Sequence, residues 1–311
     1  VIRLRIREQG TFAPPHFLVV HCSRIRYVSC VRKSATSVTK TPSRYSLQNK
    51  DCVKGMSALK AGSVGIVVTS PPYNIGIDYA SYDDTMQRAD YLAWCREWMG
   101  QVHRVLAEDG SFFLNVGASP KEPLFPHQMA ILAVECGFAI QNTFHWVKSV
   151  SVPSPDGGTL SVGHFKPINS KRFVNDCHEY IFHLTKTGKV PLDRLALGVP
   201  YQHKSNVTRW RTNGGRDKRC RGNVWFIPYK TIQNSEKDRP HPASFPVELV
   251  TNCLKIATAA PDTCVLDPFL GIGTSAVAAK TYGIRKFTGF EIDKGYITVA
   301  RAALRVAKKA E

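Results

Sequence analysis

Two short stretches about 200 residues apart hold residue types that can do chemistry together. The first is "TSPPY", Thr69 to Tyr73. Proline has no N–H, so Ser70, Pro71 and Pro72 offer carbonyls and one hydroxyl but few donors. That suits a substrate that is itself a donor, such as an exocyclic amino group. Tyr73 adds a flat face for a flat ring. The plainer reading is a strand stopped by prolines beside a packing tyrosine. The second stretch is "DPFLGIGTS", Asp267 to Ser275. Gly271 and Gly273 let the backbone turn tightly and approach a ligand, and the helix opening at Thr274 and Ser275 offers unpaired N–H groups. Asp267 and Phe269 put a carboxylate and an aromatic ring where an ammonium and an adenine would be held. Glu291 ends the next strand, 24 residues past Asp267, and a carboxylate there accepts both hydroxyls of a ribose.

The glycine stretch also scans as G-x-G-x-x-A through Ala276, which fits a nicotinamide dinucleotide or a plain tight turn. Its lateness argues for adenosylmethionine, because a single strand–helix unit follows it and a dinucleotide fold needs more.

These stretches need elements to carry them. "SVGIVVTS" (63–70) reads as a buried strand by its β-branched run. Residues 88–106 place Tyr91, Leu92, Cys95, Trp98, Met99, Val102 and Leu106 on one helical face. Strands are expected at 111–117, 138–148, 178–185, 223–228, 263–269 and 286–293, and helices at 124–136, 245–258, 270–283 and 294–309. Alternating β and α predicts a doubly wound, mostly parallel α/β sheet. In such a sheet strand 63–70 and strand 263–267 end on the ligand-binding rim.

Charge divides the chain further. The net charge is +18. Residues 1–50 hold ten Lys/Arg against one acid, and residues 148–240 hold seventeen against seven. Clustered cations fit a phosphate-rich partner, or simply a solvated surface. Residues 1–44 read as a basic extension, poorly ordered, with a nucleic-acid arm or a targeting segment as the functional alternatives. Residues 149–240 read as a loop-rich, basic insertion between a catalytic half (51–148) and a cofactor half (241–311). Nine cysteines, none closer than eight residues to another and none in CxxC, argue against a zinc ribbon and for reduced thiols in an intracellular protein. No metal site is expected, and no apolar run approaches the roughly 18–20 residues of a membrane span.

"TSPPY" followed by "DPFLGIGTS" resembles the amino-methyltransferases of DNA, in the permuted order called the β group. The resemblance runs from Asp51 to about Ala307 and takes in "DCVKGMSAL", "HEYIFHLTKTG", "VWFIP", "HPASFPVELV" and "GFEIDKGY". It implies a Rossmann-like domain over 45–311, S-adenosylmethionine as cofactor and double-stranded DNA as partner, in the cytoplasm and nucleoid or a DNA-containing organelle, and leaves monomer and homodimer open. It implies that Ser70, Pro71, Pro72 and Tyr73 hold a flipped base for direct methyl transfer. Asp51, Cys52, Phe245, Asp267, Phe269, Gly271, Gly273, Thr274, Ser275 and Glu291 would bind the cofactor. Lys171, Arg172, Arg209, Trp210, Arg211, Arg216, Lys218, Arg219 and Arg221 would bind DNA. Serine at the first motif position goes mostly with N4 of cytosine and aspartate with N6 of adenine, so the expected product is N4-methylcytosine, with N6-methyladenine as the alternative. Carbon-5 methylation needs a cysteine nucleophile, typically after proline, and the chain has no Pro-Cys. A nicotinamide oxidoreductase or an inactive nucleic-acid-binding relative are more remote readings.

Overall fold

The structure, a computed structural model, describes residues 43–77, 81–154, 158–163, 169–209, 214–228 and 244–308. They fall in one compact unit, Thr41–Glu311. The basic segment before Ser43 lies outside the described residues, as do Trp210 and Arg211.

Among the described residues nine strands form one sheet: β1 (Arg44–Asn49), β2 (Val64–Thr69), β3 (Leu106–Val116), β4 (Ala139–Pro153), β5 (Thr159–Gly163), β6 (His178–Thr185), β7 (Val224–Pro228), β8 (Cys264–Asp267) and β9 (Lys286–Glu291). Their order is β1-β9-β8-β2-β3-β6-β4-β5, with β7 pairing β4. The run from β1 to β3 is parallel, while β6 sits antiparallel between β3 and β4. The doubly wound, mostly parallel expectation holds for this half. The expected insertion differs from its sequence texture, because β5, β6 and β7 belong to the same sheet. Its loops hang from strands that the core already holds.

Helices α1 (Cys52–Ser57), α2 (Arg88–Val105), α3 (Phe125–Glu135), α4 (Ser205–Arg209), α5 (Val247–Ile256), α6 (Thr274–Tyr282) and α7 (Lys294–Val306) complete the described elements. Both sheet faces are covered. Val67, Phe112 and Leu114 face a core with Tyr91, Cys95, Trp98 and Met99 of α2, the stripe its spacing predicts. Ile66, Val68, Phe113 and Val265 face a second core with Leu249, Val250, Ala276 and Ile297. Burial on both faces is why β2 reads as a continuous apolar run. No helix among the described residues is long and apolar enough to cross a membrane.

The order of strand succession reverses between the parallel neighbours β2 and β8, since β2 is followed outward by β3 and β8 by β9 on the other side. Such a reversal opens a crevice beyond the strands' carboxyl ends. Those ends are tied together. Thr69 Oγ1 donates to Asp267 Oδ1 at 2.5 Å, Ser275 Oγ donates to Oδ2, and the Phe269 N–H donates to Oδ1 at 3.0 Å. The carboxyl is 1% exposed. Burial pushes it up from its ordinary 3.8 to about 6, against the lowering from its three donors.

The sign of that shift gives a test. Between pH of about 4 and 6 the unfolded chain has Asp267 ionised and the folded chain holds its proton, so this group's contribution falls as pH rises, by about 3 kcal/mol. Asp267→Asn keeps the shape and removes the titration. In urea melts the stability of wild type relative to the variant is expected to decline across that window and stay flat above it. A gap independent of pH would show that the carboxyl titrates normally.

Candidate active site

A cleft of about 1050 Å³, counted to its open mouth, lies at the reversal point. Ser70, Pro71, Pro72 and Tyr73 line it from the end of β2. Phe269, Gly271 and Thr274 line it from the glycine loop, and Asp51, Cys52, Phe245 and Glu291 from three further segments. The two motifs thus form one cavity. Asp267, Gly273 and Ser275 are not on its wall. Asp267 and Ser275 are buried in the bracket described above. Gly273 has φ +85°, and a Cβ there would come within 2.7 Å of Ala300 Cβ, so it serves the packing of α7 on the loop.

The turn after β2 is held by partners distant in sequence. Tyr91 Oη donates to the Pro72 carbonyl at 2.7 Å. Beyond Tyr73 the chain bends at Asn74, with φ 56°. Asp84, 2% exposed, accepts the N–H groups of Asn74, Ile75 and Ile77 at 2.8, 3.0 and 3.0 Å. Tyr73 is half-buried, its ring 5.5 Å from that of Phe125. Its hydroxyl lies 2.8 Å from Ser70 Oγ, and Asn115 and Glu179 stand behind it.

The opposite wall is organised by Glu291. Its Oε2 accepts the Gly271 N–H and its Oε1 the Asp293 N–H, both at 2.8 Å. Burial raises this carboxyl and the two N–H donors oppose the rise. Two oxygens with about four lone pairs leave acceptor capacity after both bonds. Gly271, φ +52°, places its N–H under this carboxylate. Phe269 is braced edge-on by Trp94 and Trp98, with centroids at 5.6 and 5.2 Å. Asp51 caps α1 by accepting the Lys54 N–H at 2.9 Å. The Cys52 thiol is buried and pushed up by desolvation, so it is not a reactive thiolate.

The cleft also uses residues that pattern reading passed over: Ser81, Tyr82, Trp94, Asp293 and Tyr296. Asp293 caps α7 through the Tyr296 N–H and accepts the Ser81 hydroxyl at 2.5 Å, joining the two walls. Asp293 stands inside the quoted "GFEIDKGY" and was within reach. Ser81 and Trp94 carry no local signal.

Lys171, Arg172, Arg209, Arg216, Lys218, Arg219 and Arg221 are all exposed, and none lines the cleft. Arg172 lies over the Phe173 ring at 5.1 Å. Arg219 is fixed through its backbone, pairing with Val199 at 2.8 and 3.0 Å.

Asp84 supports the turn alone among the described carboxylates, and its removal strands three N–H groups. Asp84→Ala is expected to cost about 2–4 kcal/mol in thermal or denaturant unfolding, and to make the segment after Tyr73 the first site of proteolytic nicking.

The family model for N6 and N4 methyltransferases, described as "DNA methylase", matches residues 64–302. The chain is 29% identical to the type II methyltransferase M.ScaI of Streptomyces caespitosus, over 82% of this chain and 79% of that one. It is 26% identical to the DNA adenine methyltransferase YhdJ of Escherichia coli K12, over 86% of each. The fold is similar to PvuII DNA methyltransferase (cytosine-N4-specific), with a TM-score of 0.58, 20% identity and coverage of 85% and 89%. It is also similar to the DNA modification methylase TTHA0409 of Thermus thermophilus complexed with S-adenosyl-L-methionine, with a TM-score of 0.56, 21% identity and coverage of 86% and 98%. A cleft that pairs an acceptor-rich turn with a glycine loop and a strand-end carboxylate, on a chain matched over residues 64–302, belongs to the N6/N4 DNA methylase family, the S-adenosylmethionine-dependent methyltransferases of DNA.

Proposed function

We propose that this methyltransferase acts on the exocyclic N4 amino group of cytosine within a specific DNA sequence. The observation that carries the reading is Ser70 at the head of the turn, facing the same cleft as Gly271 and Glu291. S-adenosylmethionine supplies a methyl group already activated on a sulfonium, so the protein needs no nucleophile of its own. Glu291 would take the ribose hydroxyls with its remaining lone pairs, and Phe245 and Phe269 would flank the adenine. The permuted, β-group order of motifs is consistent with a turn on β2 that precedes the glycine loop after β8.

On the substrate side, the base leaves the duplex and stacks on Tyr73. Ser70 Oγ and the Pro71 carbonyl accept its amino hydrogens. Held so, the nitrogen keeps its lone pair out of the ring and available for bonding. Positioning and fixed dipoles supply the rate. The exposed Lys171, Arg172, Arg209, Arg216, Lys218, Arg219 and Arg221 would hold the phosphates, and arginines among them would read guanine edges. Adenine N6 is the second reading, favoured by the likeness to a DNA adenine methyltransferase over 86% of both chains.

Expression in a methylation-free host followed by base-resolved mapping gives the recognition sequence, and nucleoside digestion gives the product. N4-methylcytosine is expected, and N6-methyladenine alone would overturn the choice of base. Tyr73→Ala is expected to keep cofactor affinity and to slow single-turnover transfer about 10- to 100-fold, the worth of one base–aromatic stack. Full activity would remove Tyr73 from the site.

A further inference from the structure

A serine hydroxyl can donate as well as accept, and a substrate amino group needs an acceptor. Something must decide where the Ser70 proton points. Ser70 Oγ and Tyr73 Oη lie 2.8 Å apart, a contact in which either oxygen can give the hydrogen. The answer lies one layer back, on β6. Glu179 Oε2 stands 3.3 Å from Tyr73 Oη and accepts the Asn115 side-chain N–H at 2.6 Å. Its Oε1 pairs with Lys148 Nζ at 2.8 Å. Gly117 leaves room for this carboxylate, since a Cβ there would sit 3.1 Å from Glu179 Cγ.

We propose that Glu179 is a positioning residue that sets the direction of the Ser70–Tyr73 hydrogen bond, so that Ser70 shows lone pairs alone to the cleft. An ionised carboxylate has no hydrogen to give. The single Tyr73 proton therefore points inward, to Glu179 Oε2 or to the Asn115 carbonyl, also at 3.3 Å. The Asn115 amide adds a donor toward the same phenol oxygen at 3.3 Å. With its own hydrogen committed inward, the phenol oxygen meets Ser70 as an acceptor. Ser70 gives its hydrogen to Tyr73 and turns a purely accepting oxygen outward. In this way a serine does what a carboxylate does by nature. Glu179→Gln leaves one side-chain oxygen, which satisfies either Lys148 or the Asn115–Tyr73 side, so the direction is no longer imposed.

The inference rests on the reading that Ser70 faces the amino group. Its test is a binding measurement, separate from the product analysis. The probe is a duplex bearing the mapped sequence, with the target base opposite an abasic site so that extrusion costs are alike, and with cytosine or uracil at the target. Wild type is expected to bind the amino base about tenfold more tightly than its oxo counterpart, the worth of one hydrogen bond. Glu179→Gln is expected to bring that ratio near one at unchanged cofactor affinity. Tyr73→Phe keeps the ring, cuts the link and should lose the same preference, with no further loss in the double variant. A ratio unchanged in Glu179→Gln, or losses that add in the double variant, would overturn the proposal. If the product is N6-methyladenine, the same comparison runs with adenine and hypoxanthine, so the base choice and the Glu179 role fail separately.

Discussion

The carboxylate of Asp267 is the constraint on which the cleft depends. It ends β8, takes the hydroxyl of Thr69 at the end of β2, and takes Ser275 and the Phe269 N–H from the glycine loop. A buried carboxyl that accepts three hydrogen bonds can be satisfied in few geometries. The one realised here fixes the turn after β2 against the glycine loop. Burial raises its pKa by desolvating the charged form, and this cost falls at the sheet's reversal point, beside the crevice.

The same device recurs around the cleft. Asp84 gathers backbone donors behind the turn, Glu291 gathers them at the end of β9, and Asp293 closes the mouth against Ser81. Glu179 stands behind Tyr73. In a chain of net charge +18, these acids bind the protein to itself, while Lys171, Arg172, Arg209, Arg216, Lys218, Arg219 and Arg221 face solvent. Opposite signs are thereby sorted by depth. The buried acids hold backbone and side-chain donors around the cleft, and the exposed cations are left on the surface, where a polyanion could meet them.

Much of this was legible in the sequence. The β-branched run before "TSPPY", the apolar stripe of α2 and the glycine loop announced β2, α2 and the β8–α6 turn within a few residues, because each rests on local pattern. So did the gathering of Ser70, Tyr73, Gly271 and Glu291, once the strands were set in a doubly wound sheet. What escaped is long-range. Nothing near Asp84 tells that it caps a turn ten residues earlier, and Glu179 meets Tyr73 across 106 positions. A strand-end carboxylate such as Asp267 invites a ligand, and only the long-range placement of Thr69 and the fold of the glycine loop reveal that its oxygens also form an internal bracket. Strand β5 escaped because its residues, Thr159–Gly163, sit in a Gly- and Pro-rich stretch that reads as loop.

The edge of the sheet carries a consequence for how such a chain can be ordered. Strand β1, which opens the described domain, pairs with β9, and Arg301 of the last helix donates to the Leu47 carbonyl at 2.9 Å. The beginning and the end of the domain are therefore neighbours. The tie between the two halves of the cleft runs sideways through β2 and β8, not along the covalent chain. Neighbouring ends are the geometry that lets a chain be joined there and opened at a surface loop without breaking that tie. The order in which its two motifs are read out is a property of the gene, and the cavity they make is a property of the sheet.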